Sequence, residues 1–367
     1  MKITGVRLFN FRNYKTMELN FHNMIHIFYG NNGQGKTNLL ESLYIAGIGK
    51  TYRGIADREL IRWEQEEGSI IVRFLRNHVE QQVKIILSRV SSKQLWINET
   101  KTIGREFFGS IPEILFSPDD LQLIKGAPSL RRKFMDMELS QVNRMYYRCL
   151  LQYNHILAQR NALLKEVRYD KNISFAEWDT QLAVLAADMV KKRLEMLKKI
   201  NVLADKIHKE LTQGKESLHV YYKQPYNQDR HTVILQASQY ARLLQENIAA
   251  DSYKNATSIG PHRDDFTFCI EGKEAKKYAS QGQQRTAILS LKLAELEFVY
   301  SEIGEYPILL LDDVMSELDL LRRKQLLQFV HQRIQTFITT TDPLLFSMLQ
   351  EGCQWKIEDG KVIQYES

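Results

Sequence analysis

The sequence predicts an α/β fold whose core is assembled from both ends of the chain, with an α-helical hairpin inserted in the middle. Strand patterns alternate with turns and helices before Gly126 and again after Gly214, while the segment between them has helical periodicity and contains no glycine. Strand–helix alternation on both sides of a helical insert indicates one interrupted α/β core. We therefore expect three parts: 1–125 as the N-terminal part of the core, 126–215 as the helical arm, and 216–367 as the C-terminal part.

Each element is predicted from its hydrophobic period. The predicted strands are Lys2–Phe9, Met17–Phe21, Met24–Phe28, Ile70–Phe74, Gln82–Leu87, Gln94–Ile97, Leu218–Tyr222, Phe266–Ile270, Ile308–Leu311 and Gln335–Thr339. The predicted helices outside the arm are Asn38–Ala46, Thr232–Asp251, Gly282–Ile303, Leu320–Arg333 and Pro343–Leu349. In the arm, apolar residues recur at steps of three and four over 142–164 and 182–211, which favours two long antiparallel helices joined by a polar turn at Arg168–Ser174.

Composition narrows the class of protein. The chain has 367 residues, of which 44% are hydrophobic and 26% are charged, as in an ordinary globular protein. No apolar run approaches the ~20 residues that span a bilayer, and charges interrupt the N-terminal residues too often for a signal peptide. Three widely separated cysteines exclude a disulfide framework and a CxxC zinc or redox pair. We therefore expect a cytoplasmic protein without a membrane partner.

The positive charge is concentrated in the middle of the chain. The whole sequence has 50 basic and 44 acidic residues, a net charge of +6. Leu121–Lys215 alone holds 18 basic and 10 acidic residues, or +8, so the remainder carries −2. Local clusters occur at Arg131–Lys133, Lys191–Arg193 and Lys198–Lys199. One interpretation is a solvated helix surface, but the concentration in one region favours a surface that faces a polyanion.

A glycine-rich loop separates the predicted strand Met24–Phe28 from the helix after it. Its residues fit G-x-x-x-x-G-K-[ST] at every fixed position: Gly30, Asn31, Asn32, Gly33, Gln34, Gly35, Lys36 and Thr37. In such a P-loop, backbone N–H groups turn inward around phosphate oxygens and the following helix adds its positive end. The lysine ammonium reaches the β- and γ-phosphates, and the hydroxyl of Thr37 is expected to ligate Mg²⁺. A chance glycine loop is the alternative.

Two acidic residues end a strongly apolar strand far along the chain. The four aliphatic residues of Ile308–Leu311 suit a central parallel strand that is covered on both faces. Asp312 at its end is expected to hold Mg²⁺, and Asp313 to orient or deprotonate the attacking water. Together with the P-loop, these acids predict an ATPase whose nucleotide-binding elements are separated by a large insertion.

A third element, the signature segment Ser280–Arg285, lies at the start of the predicted helix Gly282–Ile303. A small hydroxyl and a glycine at a helix N-terminus make an anion site. The chain already has one phosphate-binding loop, so a second anion site is best explained if it binds a nucleotide held by another copy. We therefore expect Ser280, Gly282 and Gln283 to close on the γ-phosphate of a second copy. The alternative is a plain N-cap by Ser280.

These elements resemble an ABC-type ATPase head. The P-loop, a Ser-x-Gly-Gln signature and a strand ending in two acids carry the resemblance, with SQGQQ here in place of the LSGGQ of transporters. The opening Leu8–Tyr14, with its Asn-Phe-Arg-Asn-Tyr run, is similar to the SMC-like branch. Narrower matches to the RecF family of bacterial recombination-mediator ATPases run in order over nearly the whole chain: Lys50–Arg53, Phe116–Leu121, Ile124–Gly126, Arg131–Arg132, Gly260–Asp265 and Ser280–Arg285.

The resemblance implies an ATP-dependent homodimer that binds DNA at gaps and single-strand/duplex junctions. It implies partnership with RecR and RecO to help RecA load, and slow ATP hydrolysis that opens the dimer. It assigns Lys36 and Asp313 to catalysis, Thr37 and Asp312 to Mg²⁺, and Ser280 to a second subunit's γ-phosphate. Asp313 stands where ABC ATPases usually have a Glu, and an Asp that is one methylene shorter fits slow turnover.

Some positions stay open at the sequence level. Thr339–Asp342 stands where transporters carry a switch His, with Thr341 and Asp342 as candidates for sensing the γ-phosphate. The Gln-loop is expected near Asp119 and Asp120. The Gly260–Asp265 turn reads either as a functional motif or as a structural loop. Two other functions compete: the ATPase subunit of an ABC transporter, and a structural DNA-binding protein with a vestigial nucleotide site.

Overall fold

The computed structural model describes residues 1–166, 173–226, 234–342 and 352–365. Over these residues the strands are β1 (Lys2–Phe11), β2 (Tyr14–Asn20), β3 (Ile25–Tyr29), β4 (Glu67–Arg76), β5 (Val79–Ser88), β6 (Gln94–Ile97), β7 (Thr100–Thr102), β8 (Glu113–Phe116), β9 (Leu218–Lys223), β10 (Asp265–Ile270), β11 (Lys273–Glu274), β12 (Ile308–Asp312), β13 (Thr336–Thr340), β14 (Cys353–Glu358) and β15 (Lys361–Tyr365). The helices are α1 (Lys36–Ile48), α2 (Gly104–Phe107), α3 (Gln122–Lys125), α4 (Pro128–Val142), α5 (Arg144–Glu166), α6 (Ala176–Leu211), α7 (Ala237–Glu246), α8 (Ile248–Lys254), α9 (Ala275–Tyr278), α10 (Gln281–Ile303) and α11 (Leu320–Val330).

The chain forms two compact units. The first unit comprises Met1–Asp120 and Glu295–Ser367, and the second comprises Leu121–Ala294, so that the division falls inside α10. The sequence-based division after residues 125 and 215 remains a prediction about domain organisation. The second unit extends beyond residue 215 because β9 pairs with β10 and packs on α6.

One sheet of the first unit is antiparallel, with strand order β2-β1-β4-β5-β6-β7. Its strands alternate buried and more exposed residues, as in β4, where the side chains of Ile70, Val72 and Phe74 are completely buried. This alternation is expected where a sheet packs one face on the core and turns the other toward solvent.

The other sheet of the first unit joins the two ends of the chain. Its order is β15-β14-β3-β13-β12-β8, and β3 pairs in parallel with β13 on one side and β14 on the other. Every residue of β12 is buried, which fits its aliphatic sequence and its place between β13 and β8. The prediction of a core built from both ends of the chain is therefore confirmed.

Helix α1 follows the glycine-rich loop and contacts strands of both sheets, β4 and β13 among them. The sequence predicts one apolar face with Leu39, Leu40 and Leu43, yet 11 of its 13 residues are buried. Even the carboxylate of Glu41 is completely buried. The helix begins at Lys36, two residues before the predicted start, so its first turn belongs to the loop motif itself.

In the second unit, α5 and α6 lie side by side and antiparallel. Near one end Arg160 contacts Asp179, and farther along Tyr146 contacts Arg193. This matches the predicted hairpin, although 168–172 of the predicted turn lie outside the described residues. Helix α4, which the sequence reasoning did not identify, packs on α5.

Four predicted elements differ in the structure. The strands at 218–222 and 266–270 were expected in the α/β core, but β9 and β10 form a separate antiparallel sheet with β11, because the inner face of β9 packs on α6. The predicted helix 232–251 is divided into α7 and α8, and its first two residues lie outside the described residues. Helix α11 ends at Val330, and the predicted helix at 343–349 lies outside the described residues.

Candidate nucleotide-binding site

The glycine-rich loop connects β3 to α1 and follows an unusual backbone path. Gly30, Gly33 and Gly35 have φ angles of 147°, 80° and 115°, where side chains are disfavoured. A Cβ atom on Gly30 would lie 2.4 Å from the carbonyl oxygen of Ile357, whereas one on Gly33 would meet nothing within 4 Å. The loop is thus closed against β14 on one side and open at Gly33, as a cradle that admits a phosphate group must be.

Lys36 turns its ammonium group back into this loop. Its Nζ donates hydrogen bonds to the carbonyl oxygens of Gly30, at 2.7 Å, and Asn31, at 2.8 Å. Burial lowers the pKa of Lys36, while the carboxylates of Asp313 and Asp312 oppose that shift. The side chain therefore places a desolvated cation at the cradle, where an anionic group would be strongly favoured.

Thr37 and Asp312 meet although they are 275 residues apart in sequence. The Thr37 hydroxyl donates to Asp312 Oδ1 at 2.9 Å. Among the described residues no group of three or more His, Cys, Asp or Glu side chains could hold a metal ion. A hydroxyl and one carboxylate nevertheless fit Mg²⁺, which keeps several waters and takes further ligands from phosphate rather than from a protein cage.

Asp313 is held in a strained backbone conformation at the end of β12. Its φ is 52°, in the left-handed region, and its N–H donates to the Thr339 hydroxyl at 2.9 Å. Its Oδ1 is buried and has no hydrogen-bond partner within the described part of the chain. Burial raises its pKa, and the positive charge of Lys36 opposes the shift. An unpartnered carboxylate oxygen beside Lys36 is an acceptor suited to a water molecule.

The N-terminal segment supports the loop, a role that the sequence reasoning missed. The Asn13 side chain donates to the Gln34 carbonyl at 2.8 Å and accepts from Asn38 at 2.9 Å. The Tyr14 hydroxyl donates to the Gly35 carbonyl at 3.0 Å. In the sequence, Asn13 and Tyr14 contributed only to the resemblance to the SMC-like branch. Nothing in their local pattern indicates that they contact residues 21 positions further along the chain.

The signature segment lies in the second unit, at the start of α10. The N–H of Gln283 donates to Ser280 Oγ at 3.2 Å, and the N–H of Ser280 donates to Gln283 Oε1 at 2.8 Å. This reciprocal pair is a capping box, so Ser280 caps the helix as the alternative interpretation described. Gln283 also donates to Glu216 at 2.9 Å, and Gly282 lies in the first turn of the helix. The role of the three residues toward a second copy stays a prediction.

The Gly260–Asp265 turn lies in the second unit and has several internal contacts. His262 lies 2.5 Å from the Tyr153 hydroxyl and 2.9 Å from the Thr257 carbonyl. Burial lowers the pKa of His262 to about 4, so its ring is neutral near pH 7. Asp265 is bound by the guanidinium group of Arg131. The contacts of the described residues therefore favour the structural interpretation of this turn.

Part of the predicted basic surface is internal. Arg131 and Arg193 are buried, and they form ion pairs with Asp265 and Asp136. Both arginines belong to the predicted basic clusters, at 131–133 and 191–193. Because their charges are buried and already paired with carboxylates, these two side chains are not available to bind a polyanion. Exposed basic side chains remain along the same segment: Lys125, Lys133, Arg144, Arg148, Lys165, Lys191, Lys198, Lys199, Lys206, Lys209 and Lys215.

Two of the residues that were left open at the sequence level, Asp120 and Asp342, have hydrogen-bond or ion-pair partners in the structure. Asp120 accepts a hydrogen bond from the N–H of Ser117 at 2.8 Å, which closes the turn after β8. Asp342 forms an ion pair with Arg323 at 3.0 Å. Neither contact assigns a nucleotide-sensing role, and the Gln-loop and switch positions remain predictions.

Comparisons with known proteins give RecF proteins as relatives of this chain. Residues 2–363 match a family model described as RecF/RecN/SMC N terminal domain. The protein called DNA replication and repair protein RecF from Alkaliphilus oremlandii is 43% identical over 343 residues, which cover 93% of each chain. Its counterpart from Clostridium beijerinckii is also 43% identical, over 92% of this chain and 91% of the relative.

Solved structures agree with the sequence relatives. A structure of the recombination mediator protein RecF with ATP in the RecFOR pathway superimposes with a TM-score of 0.91 at 34% identity, covering 100% of this chain and 98% of the other. An SMC head bound to the C-terminal winged-helix domain of ScpA gives a TM-score of 0.60 at 13% identity, which supports the fold alone. Within the part of the chain that the structure describes, no helix is both long and apolar enough to cross a membrane.

Proposed function

The chain belongs to the RecF family, with the fold of an ABC-type ATPase head, and from this premise we propose that it is an ATP-dependent DNA-binding protein of recombinational repair and replication-fork maintenance. The observation that carries the proposal is the meeting of Thr37 with Asp312 beside Lys36 and Asp313. Residues from both ends of the chain thereby complete one phosphate and metal site. RecF structures described with ATP, and with an ATP analogue, support ATP as the nucleotide.

Each residue of the site has a distinct part in the proposed ATPase reaction. Backbone N–H groups of Gly30–Thr37 and the Lys36 ammonium bind the β- and γ-phosphates. Thr37 and Asp312 would hold Mg²⁺, and the ion would screen the charge of the phosphates. Asp313 orients the attacking water and accepts its proton, and its raised pKa makes it a better base than an exposed carboxylate. Hydrolysis then acts as a slow switch.

The switch is proposed to control dimerisation. Ser280, Gly282 and Gln283 stand at the exposed start of α10, a 23-residue helix whose positive end favours an anion. In a homodimer they close on the γ-phosphate that a second copy holds, so ATP joins two copies and its hydrolysis releases them.

Ser280→Arg is expected to abolish ATP-dependent dimerisation while each monomer still binds ATP, because the bulky cation blocks the approach to the second copy's phosphate. Sedimentation velocity at micromolar protein, with and without ATP, measures the dimer. Ser91→Arg, at an exposed turn between β5 and β6, is the matched control and should dimerise normally. A wild-type protein that remains monomeric with ATP would contradict this part of the proposal.

DNA is the proposed polyanion of the basic middle segment. We propose that the protein binds duplex DNA, gaps and single-strand/duplex junctions, and acts with RecR and, indirectly, RecO and RecA. The name of the relatives and the RecFOR pathway of the similar structures support this assignment. The setting we propose is the cytoplasm.

DNA affinity is expected to fall steeply with salt, with a log–log slope of about −0.9 for each phosphate contact on duplex. Replacing the exposed Lys191 and Lys198 by Ala should make the slope less negative by about 1.8 if both contact phosphates. The equivalent double change at Lys15 and Lys101, exposed in the first unit, is the control. Fluorescence anisotropy on gapped, duplex and single-stranded DNA, with and without ATP, checks the result; a flat salt response would count against it.

Two other functions fit the chain less well. A transporter ATPase would carry a compact helical subdomain that docks membrane helices, whereas this chain has the long hairpin of α5 and α6 and RecF relatives. A structural DNA-binding protein with a vestigial nucleotide site would tolerate damage to the site, yet Lys36, Thr37, Asp312 and Asp313 are all present. Measured ATP turnover that depends on Lys36 would distinguish the proposed ATPase from the vestigial site.

A further inference from the structure

The phenol of Tyr52 reaches the end of β12, far from its own place in the sequence. Its hydroxyl donates a hydrogen bond to Asp312 Oδ2 at 2.8 Å, across 260 residues. The ring packs edge-on against Tyr44 of α1, with centroids 5.2 Å apart and an interplanar angle of 81°. The ring contact explains why an aromatic residue fits here, but a phenylalanine would make the same contact. The hydroxyl therefore calls for a separate explanation.

The position of Tyr52 is fixed from helix α1. The hydroxyl of the preceding Thr51 donates to Glu41 Oε1 at 2.5 Å. Glu41 is completely buried, one helical turn after Thr37, and it also binds the guanidinium group of Arg12 at 3.0 Å. A buried carboxylate with these partners is a rigid anchor, because losing Arg12 would deprive a buried charge of its close ion pair and losing Thr51 would remove a hydrogen bond. Helix α1, which begins in the phosphate cradle, therefore also positions Tyr52 through the contact between Glu41 and Thr51.

The Asp312 carboxylate is oriented by hydroxyl groups on both oxygens. Thr37 and Thr339 donate to Oδ1, at 2.9 and 2.8 Å, while Tyr52 donates to Oδ2. A carboxylate offers about four lone-pair sites, so these hydrogen bonds occupy three of them and one remains free.

We propose that Tyr52 is a positioning residue for the divalent cation: its hydroxyl holds the Asp312 carboxylate in the rotation that leaves one lone pair of Oδ2 free for the cation. This inference rests on the proposed ATP and Mg²⁺ site. Groups that hydrogen-bond a metal-binding carboxylate orient it and tune its affinity, and losing one typically lowers metal affinity about 10- to 100-fold. Tyr52 acts through Asp312 and does not itself touch the metal or the nucleotide.

Tyr52→Phe tests the inference, because it removes the hydroxyl and keeps the ring on Tyr44. Mn²⁺ serves as the probe, and its free concentration is followed by electron paramagnetic resonance in the presence of saturating non-hydrolysable ATP analogue. We expect the Mn²⁺ concentration for half-occupancy to rise about tenfold. The full-length protein is used throughout, and the readout does not depend on turnover.

Tyr44→Phe is the matched control, since it removes a hydroxyl from the neighbouring ring and leaves the bond between Tyr52 and Asp312 in place. Its Mn²⁺ affinity should equal that of the wild type. An unchanged or tighter Mn²⁺ affinity in Tyr52→Phe would overturn the inference, because the hydroxyl would then be packing only or a group that the metal must displace. A thermal midpoint lowered in Tyr52→Phe without weaker Mn²⁺ binding would point to the same conclusion.

Failure of the inference is distinguishable from failure of the proposed function. If the wild type binds neither the ATP analogue nor Mn²⁺, the nucleotide site itself is refuted. If the wild type binds both and Tyr52→Phe binds Mn²⁺ equally well, only the role of Tyr52 is refuted.

Discussion

Lys36→Ala is expected to weaken ATP binding about a hundredfold, which corresponds to about 2.8 kcal/mol at 1.4 kcal/mol per tenfold change. The ammonium is buried and bonded only to the loop carbonyls of Gly30 and Asn31 in the described contacts, so it is already in place for a phosphate. Isothermal titration calorimetry with ATP and Mg²⁺ measures the loss.

The matched control for Lys36 is Lys50→Ala. Lys50 is exposed just after α1 and lies outside the loop, so removing its charge should change ATP affinity little. Equal losses in the two variants would mean that general charge, and not the geometry of the cradle, attracts the nucleotide.

Arg160→Met is expected to destabilise the second unit by about 3–5 kcal/mol, because it leaves buried carboxylates without their cation. The Arg160 guanidinium group is completely buried and donates to Asp179 at 2.6 Å, Asp251 at 2.7 Å and the Thr257 hydroxyl at 2.9 Å. Burial already raises the pKa of Asp179, and the arginine opposes that shift. Urea denaturation followed by circular dichroism measures the change.

Arg148→Met provides the comparison for Arg160. Arg148 lies on the same helix, α5, but is exposed, and the same substitution there should change the free energy of unfolding by less than about 0.5 kcal/mol. If the two variants unfolded at the same urea concentration, the buried ion-pair network would not be a source of stability.

The elements that sequence reasoning identified correctly are those whose pattern is local. β12 is four aliphatic residues and an acid, and the helix of the signature segment has a capping residue and a long apolar run, so both could be recognised from their own residues. β14 and β15 were missed because they mix polar and apolar residues, and β14 becomes a strand by pairing with β3. Likewise, no local pattern could tell that β9 and β10 form their own sheet.

The same distinction applies to the candidate site. Lys36 and Thr37 were predicted from the spacing of the P-loop motif, and Asp312 from its place at the end of an aliphatic strand; the structure places the three together. Asn13 and Tyr52 were missed because their contacts with the site join residues that are 21 and 260 positions apart. A single sequence records which residue types are present, but not which distant pairs meet.

The sheet that joins both chain ends also governs how the protein is made. On the ribosome, β3 emerges early, whereas β12, β13 and β14 follow only after the whole second unit. At about 5–20 residues per second this delay lasts on the order of tens of seconds. Over that interval β3 has neither of its neighbouring strands, and unpaired apolar strand edges invite aggregation. We therefore expect the nascent first unit to need chaperones, while the second unit, which is continuous in sequence, can fold during synthesis.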